Sequence, residues 1–237
     1  DEEEVKDVYQ ALISIIDVSK CAGVYIAGYR TYVFKFNRRS VNDFCVVPYG
    51  YINLTENFSS KAERISAVKK ELRDCQIIKT FDEEILVGAG VPYIDISRVA
   101  KKLQRNAVEI DNNYELNKDS FEKVVAFVKD LDVEKIKKIK GLSFEGSDSL
   151  QGGLAIIEAM FDLFKNDYIV VTDANKMEGK IIENLVGAPV ERYSDLLLNS
   201  LDSYYEFKKE GLSINANVYN MAILLFKQLK VVHKLSR

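Results

Sequence analysis

Histidine is nearly missing from this chain: His233 is the single one in 237 residues, four from the end. Because histidine is the commonest general base and metal ligand near neutral pH, its scarcity removes HExxH zinc sites, Cys–His pairs and an ordinary Ser-His-Asp triad. No serine sits in a GxSxG elbow, and no glycine-rich loop ends in the Lys-Ser/Thr of a P-loop. The three cysteines, Cys21, Cys45 and Cys75, form no CxxC pair. They read as free, buried thiols, and their odd number favours a reducing compartment. Two glycosylation sequons, starting at Asn53 and Asn57, point the other way, but occur at the frequency chance allows. No run approaches the ~18 apolar residues of a membrane span, so the expected location is the cytoplasm, with no membrane partner.

Proline and glycine are also scarce, at 3 and 12 residues against 33 Lys+Arg and 36 Asp+Glu. Long regular elements with charged outer faces follow from that balance. The 47% hydrophobic content is enough to bury a real core, and a net charge of −3 gives no global attraction to nucleic acid.

Residues 2–18 carry a helical apolar stripe behind an acidic start. The stretch Val24 to Phe36, broken at Gly28, is β-branched or aromatic and alternates strictly in its second half. Strands are expected at 44–47 and 51–54, then a helix capped by Ser59 or Ser60 and running to about Asp74. Ile85 to Val87 and Tyr93 to Ile96 read as a hairpin joined through Gly88, Gly90 and Pro92, with Ser97 capping a helix to Asn106 and a short strand at 107–110. Asp119 and Glu122 suggest a capping box for a helix over 121–131. Beyond the Gly/Ser-rich stretch 141–153 come a helix at 154–165, a strand at 168–172, and helices at 180–186, 193–209 and 215–235. Strands early and helices late imply an α+β fold: an N-terminal antiparallel or mixed sheet with a helix-rich C-terminal region. The corresponding domains are 1–145, mixed α/β, and 146–237, helix-rich with one strand, or the two form one continuous body.

Four constellations could carry chemistry. The segment Ile85 to Tyr93 superficially matches a dinucleotide fingerprint, with Asp111 further on, but its third glycine is replaced by Tyr93 and a return strand is expected where a helix is needed. Gly146, Ser147, Ser149, Gly152 and Gly153, opening into a helix at Leu154, suit an anion because small residues expose helix N-terminal N–H groups. Asp167, Asp173, Glu178 and Lys180 loosely match the two carboxylates and lysine of metal-dependent nucleases and phosphotransferases. Arg30, Arg38 and Arg39 flank the aromatic positions Tyr32, Phe34 and Phe36, and Arg98, Lys101, Lys102 and Arg105 share one helical face; both groups suit a nucleic-acid contact. Another basic cluster spans Lys135, Lys137, Lys138 and Lys140.

Apolar stripes through 196–232, including Leu196, Leu197, Leu201, Tyr204, Tyr205, Met221, Leu225 and Val232, suit a protein partner or homo-oligomer. Taken together, the residues imply a binding or assembly protein without enzymatic activity, no cofactor and no metal. A nucleic-acid-binding module, of the kind found in phage defence or plasmid functions, and a metal-dependent nuclease or phosphotransferase stand as alternatives.

Overall fold

The computed structural model describes residues 1–16, 20–82, 85–106, 110–129, 131, 133–139, 141–186 and 216–233. The chain divides into two compact units, Asp1–Arg192 and Tyr193–Arg237. The expected boundary near residue 145 falls inside a helix of the first unit.

The first unit is built on a six-stranded mixed sheet of order β3-β2-β1-β4-β6-β5. Strands β1 (Cys21–Ile26), β2 (Thr31–Phe36) and β3 (Val41–Val47) form an antiparallel meander. Parallel pairing joins β1 to β4 (Ile85–Ala89) and β4 to β6 (Tyr168–Thr172), and β5 (Tyr114–Asn117) closes the far edge antiparallel to β6. This is the expected mixed sheet.

Both faces are covered, so successive side chains of a strand enter different cores. Ala22, Val24, Ile26 and Val33 point into one, with residues of α2 (Tyr51–Asn57), α3 (Lys61–Glu71), α5 (Val91–Leu103), α6 (Lys118–Val128) and α8 (Phe144–Phe164). Tyr25, Tyr32, Phe34 and Phe36 point into the other, beneath α1 (Glu2–Leu12). Next to α1 on that side runs α9 (Lys176–Val186), whose Gly179 has no room for a Cβ against the Asp7 carbonyl oxygen. The aromatic stripe of β2 is therefore core: Tyr32, Phe34 and Phe36 are each at most 1% exposed, and Tyr9 packs edge-on to Phe36.

Two expected strands are helices. Tyr51–Asn57 is α2, started by Gly50, whose N–H donates to Asn53 Oδ1 at 2.7 Å. Tyr93–Ile96 lies in α5, where Pro92 occupies the first turn and Tyr93, Ile96, Val99 and Ala100 form the buried stripe. Ser97 is consequently mid-helix, its hydroxyl donating back to the Ile94 carbonyl. The helix expected from Leu154 starts ten residues earlier, with Gly152 and Gly153 in its interior. There they permit close crossings: a Cβ on Gly152 would strike the Tyr51 carbonyl of α2, and one on Gly153 would lie 2.7 Å from Pro92 of α5.

Cys45 and Cys75 are joined as a disulfide, tying β3 to the start of α4 (Gln76–Lys79), and Cys21 alone is a free thiol. The expectation of three free thiols fails here, and the inferred reducing compartment loses that support. No helix among the described residues is long and apolar enough to cross a membrane. The second unit contains the helix Ala216–Gln228, exposing Met221, Leu224 and Leu225, and the short helix Lys230–His233. The helix expected over 193–209 lies outside the described residues, as do most of 107–110.

Candidate active site

A cleft of about 420 Å³ opens where β1, β4 and β6 end at their carboxyl termini. In parallel sheets this is where ligands are bound, since the loops leaving the strands diverge there. Tyr25 to Gly28 form the end of β1 and the chain leaving it, Gly90 to Arg98 form the start of α5, and Asp173 to Lys176 lead into α9; Tyr51 and Ser143 complete the wall. Gly90 starts α5 with φ +106° and ψ 163°, and a Cβ on it would enter the Ile26 carbonyl oxygen. Gly50 approaches the Ala27 carbonyl in the same way. The cleft floor is therefore closed by backbone lying directly on backbone.

Asp95 is 1% exposed and accepts from the Ser143 N–H at 3.0 Å and from the Ser143 hydroxyl at 2.7 Å. It ties α5 to the segment entering α8. Burial pushes its carboxyl above the usual range, and the two Ser143 bonds oppose that in part. Asp95 therefore holds its proton more tightly folded than unfolded. Ionisation above the unfolded value of about 3.9 opposes folding, so this contribution to stability is lost as pH rises through the folded pKa. Asp95→Asn has no proton to lose. Urea unfolding between about pH 4 and 7 should show the variant gaining relative to wild type as pH rises, whereas parallel curves would mean that Asp95 is not held protonated.

Arg98 and Lys176 are the cations lining the cleft. Each has an acidic partner. Arg98 donates through Nε and Nη2 to Asp111 Oδ2 at 2.8 and 2.7 Å, and Lys176 Nζ lies 3.0 Å from Glu4 of α1. Glu4 also accepts from the Tyr32 hydroxyl, whose pKa is pushed up to about 12 by burial first and by Glu4 second. Asn175 caps α9, accepting from the N–H groups of Met177 and Glu178 at 3.0 Å. The Asp173 carboxylate is exposed at the rim, while its N–H donates to Asn112 Oδ1 at 2.9 Å.

Of the carboxylates and lysine expected to act together, the fold unites only two. Asp167 precedes β6 and Asp173 follows it, roughly 20 Å apart at the usual rise of a strand. Lys180 turns to α1, 2.8 Å from Glu3. Asp173 and Glu178 are near enough to interact electrostatically: partial desolvation, and then the Asp173 charge, raise the Glu178 carboxyl. Among the described residues no group of three or more His, Cys, Asp or Glu is placed to hold a metal.

The expected anion loop is helix: Gly146, Ser147, Ser149, Gly152 and Gly153 all lie within α8, and the Gly152 N–H donates to Thr55 Oγ1. The side chains of Ser147 and Ser149 are outside the described residues. The expected nucleic-acid face also divides. Arg30 pairs with Asp1, and Arg38 and Arg39 occupy the β2–β3 turn beside the start of β1, at the opposite end of the sheet from the cleft. Lys101 is 4% exposed and holds Asp111 Oδ1 at 2.6 Å, leaving Lys102 and Arg105 outside.

Sequence reasoning missed Tyr25, Asp95, Ser143 and Lys176 as cleft residues. One signal was present. Gly88-Ala89-Gly90 follows an apolar strand, and the apolar spacing after Pro92 is helical, so a strand–turn–helix was legible there.

Residues 1–186 match the model of the Ppx/GppA phosphatase family, a span that contains every residue lining the cleft. The chain belongs to that family. The Ppx/GppA-type fold is shared with an exopolyphosphatase from Cytophaga hutchinsonii, at TM-score 0.72 and 14% identity over 80% of this chain and 65% of that one. The Aquifex aeolicus Ppx/GppA family member superimposes at TM-score 0.65 and 18% identity over 81% of this chain and 64% of its own. A bifunctional 3-dehydroquinate synthase/phosphatase of Fusobacterium nucleatum subsp. nucleatum is 24% identical over 147 residues, covering 57% of this chain and 22% of the relative. The chain thus spans less than two thirds of the solved structures and about a fifth of that relative. Membership of a phosphatase family overturns the expectation of a binding or assembly protein without enzymatic activity, together with the phage-defence or plasmid-linked nucleic-acid module. Scarce histidine misled because phosphoryl transfer depends on positioning and charge, which carboxylates, cations and backbone N–H groups can supply without imidazole.

Proposed function

We propose that this chain carries the phosphate-binding cleft of a phosphatase that releases terminal orthophosphate from a phosphoanhydride chain such as inorganic polyphosphate. The observation that carries this proposal is the family match over the whole cleft; the solved exopolyphosphatase of the same fold supplies the substrate class. Phosphoryl transfer asks for donors around the phosphate oxygens and a group that orients the attacking water. Arg98, Lys176 and the N-terminus of α5 are assigned to the oxygens, and exposed Asp173 to the water.

The pairing of both cations with Asp111 and Glu4 weakens their pull on an anion. Turnover is accordingly expected below the typical enzymatic value of about 10 per second. Incubating the protein with polyphosphate and Mg²⁺ and measuring orthophosphate release tests the proposal. Asp173→Ala should lower the rate by about 100-fold or more while leaving the melting temperature unchanged, because the side chain is exposed. A folded wild type that releases no orthophosphate overturns the function, and full activity in Asp173→Ala overturns the assignment of the water-orienting group.

A further inference from the structure

Arg98 and Lys176 are neutralised by acids of different kinds. Lys102 of α5 and Lys135 of α7 (Val133–Ile136) border a separate groove, so Arg98 and Lys176 are the side-chain cations of the cleft among the described residues. Asp111, the partner of Arg98, has a side chain only 9% exposed and also holds buried Lys101. It belongs to the packing of α5 and cannot leave. Glu4, the partner of Lys176, has a side chain 34% exposed and is free to turn into water.

Glu4 is nevertheless aimed. Its Oε1 lies 3.0 Å from Lys176 Nζ, while its Oε2 accepts from the Tyr32 hydroxyl. Tyr32 is 1% exposed, and its ring stacks on that of Tyr25, a residue of the cleft wall, with 6.2 Å between centroids. A tyrosine fixed in the core thus holds one carboxylate oxygen as the other meets the cleft lysine. The two helices are constrained as well, since a Cβ on Gly179 of α9 would strike the Asp7 carbonyl oxygen of α1. Asp7 lies one turn beyond Glu4 and Gly179 one turn beyond Lys176, so this close crossing brings the two charged side chains together. An exposed ion pair ordinarily contributes little because two flexible chains must be ordered to make it. Here Tyr32 has already ordered the carboxylate.

We propose that Glu4 is a built-in counter-ion that sets the affinity of the cleft for phosphate: an incoming phosphate group displaces it from Lys176, and Tyr32 is the positioning residue that returns it. The proposal rests on the reading of the cleft as a phosphate site. One anion is exchanged for another on the same ammonium, so Lys176 is never left unpaired. Competition of this kind weakens substrate and transition state alike, and therefore acts on binding rather than on the chemical step.

Isothermal titration calorimetry of the whole chain with sodium tripolyphosphate, without added Mg²⁺, measures binding independently of turnover. Glu4→Gln keeps an acceptor for Tyr32 while removing the charge, and should tighten Kd about five- to tenfold. Tyr32→Phe leaves every charge in place and should tighten it by about two- to threefold, because Glu4 is no longer held. Glu2→Gln, the same change of charge at an exposed residue of the same turn, should alter Kd by less than about twofold. In a Lys176→Gln background the gain from Glu4→Gln should vanish. With polyphosphate and Mg²⁺ the gain should appear in KM rather than in kcat, and circular dichroism melting verifies that each variant is folded. If the wild type binds tripolyphosphate but Glu4→Gln leaves Kd unchanged, gains no more than Glu2→Gln, or gains equally without Lys176, the counter-ion role is overturned and the phosphatase reading stands. The expected binding responses in a protein that releases no orthophosphate would overturn the activity and leave the counter-ion role standing. Absence of binding at millimolar tripolyphosphate in both wild type and Glu4→Gln overturns the two together.

Discussion

Replacing Gly90 with alanine is expected to lower stability by about 3–5 kcal/mol, the range reserved for severe backbone and packing faults. Two effects combine. With φ +106° and ψ 163°, Gly90 sits in a region of backbone space open essentially to glycine alone, where a side chain costs about 1–3 kcal/mol in strain. The added Cβ would also enter the Ile26 carbonyl oxygen, a backbone atom at the end of β1, where Ile26 pairs with Thr31 of β2, and unable to turn aside. Gly28→Ala is the matched control in the same cleft. There the Cβ would lie 2.9 Å from the end of the flexible Ile52 side chain, so a loss below about 1 kcal/mol is expected. Urea unfolding followed by circular dichroism compares the two, and similar losses would mean that β1 and β4 do not close the floor as described.

Asp111→Asn should be nearly as damaging, at about 3–5 kcal/mol, because it strands a buried cation. Lys101 Nζ lies 2.6 Å from Asp111 Oδ1, with the Ile110 carbonyl at 3.0 Å and the Tyr114 ring 5.4 Å away. Remove the carboxylate charge and the ammonium keeps only neutral partners. Lys101→Met with Asp111→Leu, which removes both charges, should recover much of the loss. If the double variant is as unstable as the single one, the ion pair is not what holds α5 to the turn before β5.

Local patterns were readable where a segment was long and uniformly periodic. Ser60 caps α3 as expected, accepting from the Glu63 N–H at 3.2 Å, and β6 has the expected bounds. For α6 the cap was misplaced: Asn117, rather than Asp119, accepts from the Ser120 N–H. Short apolar windows failed altogether. Tyr51-Ile52-Asn53-Leu54 and Tyr93-Ile94-Asp95-Ile96 fit a strand and a helix equally well over four residues, and only the flanking Asn53 cap and Pro92 start decide between them. That second error concealed the turn from β4 into α5, and with it the cleft. Glycine misled at 152–153 because it serves close helix crossing as well as loop freedom, and nothing in the local sequence distinguishes those uses.

From its residues alone the chain determined that it would form an antiparallel or mixed sheet with abundant helix, and that its second strand would carry an aromatic stripe. Tertiary structure decided the neighbours: β1 beside β4, Cys45 bonded to Cys75, Asp95 holding Ser143, and Lys101 paired with Asp111. The physical reason is range. Backbone periodicity acts over a few residues, whereas burial and pairing of polar groups are settled only when segments far apart in the chain are packed against one another.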